Sequence, residues 1–469
     1  MDKFQSRKKI AIIGGGIAGS SIAMYLSEYD VDIDVFEQGT SLVNGPPICH
    51  LHAGGNLYRE ISDEQCITLL TESIDTVRYF PHTLNVRPTI IAIPKIDKGH
   101  PEALLPRLKL LQTTYSELIS KDQTNQVFGP ANDYFKTYSK EELQKIARRT
   151  PTNNPTTLDE WLIGFSKQVD LEQLKYPIIL VQEHGLSVFR MAATAFLTLS
   201  SQSNVTLNFS SSVNGVLKET VDNGGWILSY TQDKQSHSKK FDYVVNSAGF
   251  KTGIIDDLAN KPRKRLVEFK AAYVTHWNND NYGKWPEIIF HGERGTPQGM
   301  AQFTPYPNGF FQLHGMTEEI TLFKNGLSGS CHLSAQPKLS EEFNKKIKEG
   351  WDKQVEEDRT VKAIAHLSQF MPAFIQATPA GKALYGAQQI PGDDVTLRAA
   401  NVSYTPDGYF RAEIVKASSA ITCAKELSRL LQLDVKINRA PIYTEKKIEL
   451  EAERLASERG YPIELAQIY

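Results

Sequence analysis

Cysteine is scarce in this sequence. The 469 residues hold 4, at Cys49, Cys66, Cys331 and Cys423, and no two form a CxxC pair. That scatter excludes a disulfide framework and a cysteine zinc site, and it is the pattern of reduced thiols in a cytoplasmic protein. No run of about 18 apolar residues occurs, so no transmembrane segment is expected. Neither sign of charge prevails: 52 Lys and Arg against 54 Asp and Glu leave a formal net charge of −2. No field is built for nucleic acid or an anionic membrane, so no nucleic-acid partner is expected. The polar opening MDKFQSRKK leads straight into an apolar run, and no signal peptide is expected. GxSxG, HExxH and P-loop patterns are missing, which removes the common hydrolase, zinc-enzyme and NTPase readings. Internal repeats and low-complexity tracts are missing too. A chain of this length, 41% apolar and 23% charged, is expected to form two or three ordinary globular domains.

What is present begins with KKIAIIGGGIAGSSIAMYLSEYDVDIDVFEQ, residues 8–38. The β-branched run at 10–13 suits a strand buried on both faces. It ends in Gly14-Gly15-Gly16-Ile17-Ala18-Gly19, a GxGxxG, and Ala18, Ile22, Tyr25 and Leu26 then recur at helical spacing. Each glycine has its own task. Gly14 permits the tight turn, Gly16 lets the backbone approach a pyrophosphate, and Gly19 lets helix and sheet pack closely. The free N–H groups at the helix start, from Gly16 through Ile17 and Ala18, face the phosphates. The next strand ends in Glu37 and Gln38, and the Glu37 carboxylate is placed to bond ribose hydroxyls. A lone GxGxxG says little, but strand, helix and an acid 18 residues beyond Gly19 make this a dinucleotide site. The fingerprint alone leaves NAD and FAD open.

Further along, EHGLSVFRMAATAF reads as a helix from about Val188. Strands follow at 204–209, 211–218 and 225–230, and a buried one at 242–246 ends in Ser247-Ala248-Gly249. This order, with the GGGIAGSSIAMYL turn, SSVNGVLKE, FDYVVNSAG and HLHAGGNLYRE, resembles the D-amino-acid oxidase family of FAD-dependent oxidoreductases. That family includes glycine and sarcosine oxidases, L-2-hydroxyglutarate dehydrogenase and flavin-linked glycerol-3-phosphate dehydrogenases. The resemblance implies FAD as cofactor, with Val213 against the adenine and Ala248 and Gly249 beside the dinucleotide turn. It also implies that His52, Ala53 and Gly54 run beneath the flavin. His52 falls where relatives place a flavin-contacting histidine, bonded covalently to the flavin in dimethylglycine dehydrogenases. His50 reads better as a loop histidine held by backbone. The chain departs from the family at 408–427, where serines replace the usual glycine and histidine cluster.

A second GxGxxG for a nicotinamide is missing, as are the Arg-x-Gly-Gly-Arg of monoamine-oxidase-type proteins and the Gly-Asp-Ala of aromatic hydroxylases. Electrons are therefore expected to enter from a small molecule and leave to oxygen, a quinone or an electron carrier.

The expected fold class is α/β (α+β), a Rossmann-like FAD domain of glutathione-reductase type with an interleaved antiparallel-sheet substrate domain. The FAD domain is expected from 1–85, 176–265 and 385–440, the substrate domain from 86–175 and 266–384, and an exposed helical tail from 441–469. SKEELQKIARR opens with a Ser-x-x-Glu cap. Phe343, Ile347, Trp351 and Val355 suggest one solvated helix across 340–358.

Flavin oxidation needs few protein groups beyond an anchor for the substrate and, for an alcohol, a base. An acidic substrate wants an arginine with a tyrosine hydroxyl. The candidates are His52, His314, Tyr306 and Arg411, with Gln302, Phe303, Tyr306, Gln312 and His314 expected to share the sheet face opposite the flavin. His291, Glu293 and Arg294 read as surface groups of a turn, and Arg59 as flavin- or solvent-facing. The expected activity is oxidation of a C–N or C–O bond of a small amino or 2-hydroxy acid. The alternative is a flavin-containing accessory, or a tRNA- or protein-modifying factor, without turnover of a small acid.

Overall fold

The structure, a computed structural model, describes residues 7–46, the backbone of 52 and 53, and residues 61–220, 224–278, 282–399, 402–437 and 441–469. Its first sheet has six strands, in the order 402–405, 409–412, 243–246, 8–13, 31–36 and 205–208. All neighbours are parallel except the pair at the 402–405 edge. Ile10, Ala11, Ile12 and Val244 are fully buried, as a strand covered on both faces requires. Helices Ile17–Leu26, Val188–Leu199 and Ser419–Leu430 cover one face. A three-stranded meander, Ser211–Lys218, Trp226–Gln232 and Gln235–Phe241, covers the other. The last of these, QSHSKKF, escapes a reading of the sequence. Six of its seven residues are exposed, so it carries no apolar alternation, and only its pairing makes it a strand.

The second large sheet has ten strands and is built around Arg265–His276. That strand pairs with Leu384–Pro391 along one edge and with Phe310–Gly315 further on. Side chains alternate across a strand, and here the two faces differ in kind. Val267, Phe269, Ala271 and Tyr273 turn to a greasy layer under helices Glu341–Glu349 and Lys353–Ser368. Glu268, Lys270, Ala272 and Val274 turn toward the first sheet and its helices, where Ala272 and Val274 join the same core as Ile22 and Val188.

Three expectations need correction. The single helix over 340–358 is two, because Gly350 takes φ of 91° between them. Trp351 lies in the link and stacks on Tyr385, while Val355 is 44% exposed. The C-terminal helix Glu445–Glu458 exists, but it is not merely an exposed tail. Ile448, Ala452, Leu455 and Ala456 form an i, i+4, i+7, i+8 stripe buried against helix Val188–Leu199. Phe303 does not share the polar face; it stacks on Phe311 in the aromatic core. By contrast, helix Lys140–Ile146 opens with the expected capping box of Ser139 and Glu142.

Candidate functional site

The dinucleotide turn has the geometry its glycines were expected to allow. Gly14 has φ of 101°, and a Cβ there would stand 2.5 Å from the Ser247 carbonyl oxygen. A Cβ on Gly19 would stand 1.9 Å from the Gly14 carbonyl oxygen. Gly16 is different: a Cβ there would meet nothing within 4 Å. Helix Ile17–Leu26 starts at Gly16 without a side-chain cap, so its first N–H groups are left for an anion. Ile17 and Ala18 hold the helix start to the core. The Glu37 carboxylate accepts from the N–H groups of Gly15 and Gly39, each at 2.7 Å. Its second task is therefore to fasten the turn. Ser247 Oγ donates to the carbonyls of Ile13 and Gly14, which brings Ala248 against the turn. Gly249 follows at φ of 58° with open space where its Cβ would be. Gln38 accepts from Lys251 Nζ at 2.9 Å, and Val213 sits at a bulge in the meander opposite Tyr230. An open glycine, an uncapped helix start and a buried acid fit the diphosphate and ribose of a dinucleotide.

A second helix start lies at Ser419–Leu430. Just before it, Lys416 and Ser418 are buried, and Ser418 Oγ has no hydrogen-bond partner among the described residues. Ser419 Oγ donates to Glu72 at 2.7 Å, and Thr76 Oγ1 donates to the Ser418 carbonyl oxygen. Burial pushes the Glu72 carboxyl up from 4.5 to about 7, against the opposing hydrogen bonds from Ser419 and Thr422. A carboxyl with a raised folded pKa binds its proton more tightly when folded. Stability is therefore expected to fall as pH rises from about 4.5 to 7 and to level off above, a loss of about 3 kcal/mol at most. Glu72→Gln is expected to flatten that slope, as thermal melts at pH 5 and pH 8 would show.

The polar face of the ten-stranded sheet gathers charge that the sequence reading did not assign. Lys270 Nζ pairs with Glu268 at 3.0 Å and donates to Gln388 Oε1 at 3.3 Å. Arg294 reaches Glu268 from its turn, so it is no mere surface group, although 41% of its side chain is exposed. Burial by itself would raise the Glu268 carboxyl, yet Lys270 and Arg294 hold it below its ordinary value. Burial and the neighbouring Arg294 lower the Lys270 ammonium despite Glu268. His314, on the adjoining strand, contacts Thr321 Oγ1 through Nδ1 at 3.2 Å. Burial first, then the positive Lys270, Lys416 and Arg294, push its pKa well below 6.5, so the ring stays neutral. Glu268 and Lys270 could have been noticed in LVEFKAAYV, where two charges at i and i+2 interrupt a strand otherwise fit for burial. Lys416 and Arg294 carried no such signal.

Beside this cluster, Gln302 faces His314 across the strand pair and donates to Glu287, which pairs with Arg87 at 3.0 Å. Gln312 is buried two pairs further along, opposite Thr304. Tyr306 packs in the core with the Arg87 guanidinium 5.9 Å from its ring centre. Arg190, buried in the first turn of its helix, donates to Asn85, and burial lowers its pKa to about 10. Arg411 is not brought to this face. Its Nε pairs with the buried Asp256 at 2.7 Å and its Nη2 donates to the Lys261 carbonyl oxygen. His52 and Ala53 are described only as a strand paired with Gly185 and His184. Gly54, His50 and Arg59 lie outside the described residues.

Among the described residues no helix is long and apolar enough to cross a membrane, and no cluster could hold a metal ion. No curated protein matches the chain. Solved structures share its fold. L-α-glycerophosphate oxidase from Mycoplasma pneumoniae with FAD bound is 15% identical with a TM-score of 0.59, over 93% of this chain and 98% of that one. L-amino acid deaminase from Proteus vulgaris is 13% identical with a TM-score of 0.58, over 96% and 97%. Glycine oxidase from Geobacillus kaustophilus is 11% identical with a TM-score of 0.57, over 94% and 100%. The sequence pattern of the DAO family, FAD dependent oxidoreductase, matches residues 9–396. With that match spanning most of the chain and the dinucleotide cradle intact, the protein belongs to the DAO family of FAD-dependent oxidoreductases.

Proposed function

We propose that the protein oxidises a C–N or C–O bond of a small amino or 2-hydroxy acid. Bound FAD would accept the substrate hydride at N5 and pass electrons to oxygen, a quinone or an electron carrier. The observation that carries this reading is the gathering of cations on the polar sheet face. Glu268 stands there among Lys270 and Arg294, with Lys416 adding a further charge near His314. A substrate carboxylate is an anion that such a group of ammonium and guanidinium donors would attract.

In this reading Lys270 and Lys416 draw the carboxylate in, and Arg294 admits it by exchanging its contact with Glu268. His314, kept neutral in the free protein by burial and the neighbouring cations, becomes a better base once the substrate carboxylate offsets those cations, and then accepts the proton from the substrate hydroxyl or amine. Tyr306, Gln302 and Gln312 wall the polar face, and His52 is assigned to a flavin contact beneath it. The glycerophosphate oxidase, glycine oxidase and L-amino acid deaminase among the structural neighbours do not choose among substrates here, since likeness at this identity concerns fold.

The test is anaerobic mixing of the holoprotein with a panel of amino and 2-hydroxy acids while the flavin band is followed. Bleaching by one acid, but not by its amide, is the expected result. Lys270→Met should then raise the concentration needed for half-maximal bleaching by about 30-fold or more, as for a truncated buried charge pair. Equal bleaching by acid and amide, or by no acid at all, would retire the proposal.

A further inference from the structure

The family pattern ends at residue 396, yet the dinucleotide turn is fastened by a residue well beyond it. Arg459 follows the C-terminal helix Glu445–Glu458. Its Nη1 donates to the Val43 carbonyl oxygen at 2.7 Å, and its Nη2 donates to the Leu42 carbonyl oxygen at 2.7 Å and to Ser41 Oγ at 3.1 Å. The guanidinium also lies 5.7 Å from the ring centre of Phe189.

The loop it grips is wired to the turn. Val43 N–H donates to the Gly15 carbonyl oxygen at 2.7 Å, and Gly15 N–H donates to Glu37. The Leu42 side chain stands 2.8 Å from where a Gly15 Cβ would be. Val43 itself has φ of 53°, a conformation that a β-branched residue adopts only under constraint. Something must hold it there, and the fork on Leu42 and Val43 is placed to do so. Beyond Arg459 the chain runs on to the other sheet, where Gly381 packs on Pro462 and the Tyr469 hydroxyl meets the Trp285 backbone. The C-terminal segment thus crosses from the cofactor cradle to the substrate sheet.

We propose that Arg459 is a positioning residue for FAD: by holding the strained loop at 41–43, it keeps Gly15 and Glu37 in the geometry that receives the dinucleotide. Arg459 does not touch the cofactor in this account. The strain at Val43 supplies a test that a merely stabilising arginine would not pass. Glycine takes a positive φ at no steric cost, so Val43→Gly relieves the backbone strain; because it also removes a side chain buried in the core, the Val43→Gly single variant is the reference for the double one.

The experiment strips FAD from the holoprotein and titrates it back, reading flavin fluorescence, with thermal melts of each apoprotein alongside. Arg459→Ala is expected to weaken FAD binding at least tenfold while the apoprotein midpoint moves little. Added to Val43→Gly, Arg459→Ala is expected to change FAD affinity by no more than about threefold relative to Val43→Gly alone. A parental Kd in Arg459→Ala overturns the proposal. So does an Arg459→Ala loss that is as large in the Val43→Gly background as in the parent, because the fork would then not act through the strain at Val43. If Arg459→Ala does not fold, Arg459→Lys keeps the charge and loses the fork. A parental Kd in that variant overturns the proposal equally, and a weakened one supports it.

Discussion

Gly16→Ala is expected to yield a folded protein that purifies nearly colourless. A methyl group at Gly16 meets no protein atom within 4 Å, so neither packing nor backbone opposes it in the free chain. With the diphosphate seated on the uncapped helix start, as the proposed cradle requires, a methyl there would force the phosphates off their N–H donors. Overpacking of this kind costs about 1–3 kcal/mol, or about 10- to 100-fold in FAD affinity. Gly19→Ala is the contrasting case. Its methyl would lie 1.9 Å from the Gly14 carbonyl oxygen and 2.6 Å from Ser247 Oγ, so the turn itself must move. That variant is expected to lose thermal stability as well as flavin. Absorbance of the bound flavin per polypeptide and the apoprotein melt, measured on both variants, separate the two effects. A yellow Gly16→Ala protein with parental affinity would mean that no phosphate lies over that glycine.

Asp256→Asn is expected to destabilise the protein by about 3–5 kcal/mol, the usual cost of breaking a buried ion pair from one side. Asp256 is fully buried and accepts from Arg265 Nη2, Arg411 Nε, the Tyr409 hydroxyl and Asn246 Nδ2. Asparagine keeps the shape but cannot answer two guanidiniums. Glu413 still pairs with Arg265 at 3.0 Å, so the uncompensated charge falls chiefly on Arg411. The loss is therefore expected to shrink when Arg411→Met is added, because the unpaired cation is then gone too. Denaturant midpoints of the two single variants and the double one make the cycle. Additive losses would show that Asp256 and Arg411 do not act as a pair. The same cycle bears on the role of Arg411, which the family resemblance put forward as a substrate-carboxylate arginine or a flavin contact.

The parts of the fold that could be read along the chain are those whose physics is local. The strand at Lys8–Ile13, the turn and the helix at Ile17–Leu26 follow one another within twenty residues, and each glycine there answers a steric demand its neighbours impose. The capping box at Ser139 is local in the same sense. Strand Gln235–Phe241 was not readable, because its one sign of order is a pairing with residues 226–232. Nor was the break at Gly350, since a helical stripe continues through it in the sequence.

For the site the division is sharper. The residue order alone determined the dinucleotide cradle, because phosphate recognition is made by backbone that a short motif can shape; FAD rather than NAD followed from the family resemblance and the family match, not from that motif. The residue order could nominate His314 and Arg411 only as polar groups in apolar strands. Tertiary structure decided that Arg411 turns inward to Asp256, 155 residues away. It also decided that Glu268, Lys270, Arg294 and Lys416 converge beside His314. Charge acts through space and not along the chain, so which cations share a buried face depends on sheet pairings that bring distant segments within a few ångströms.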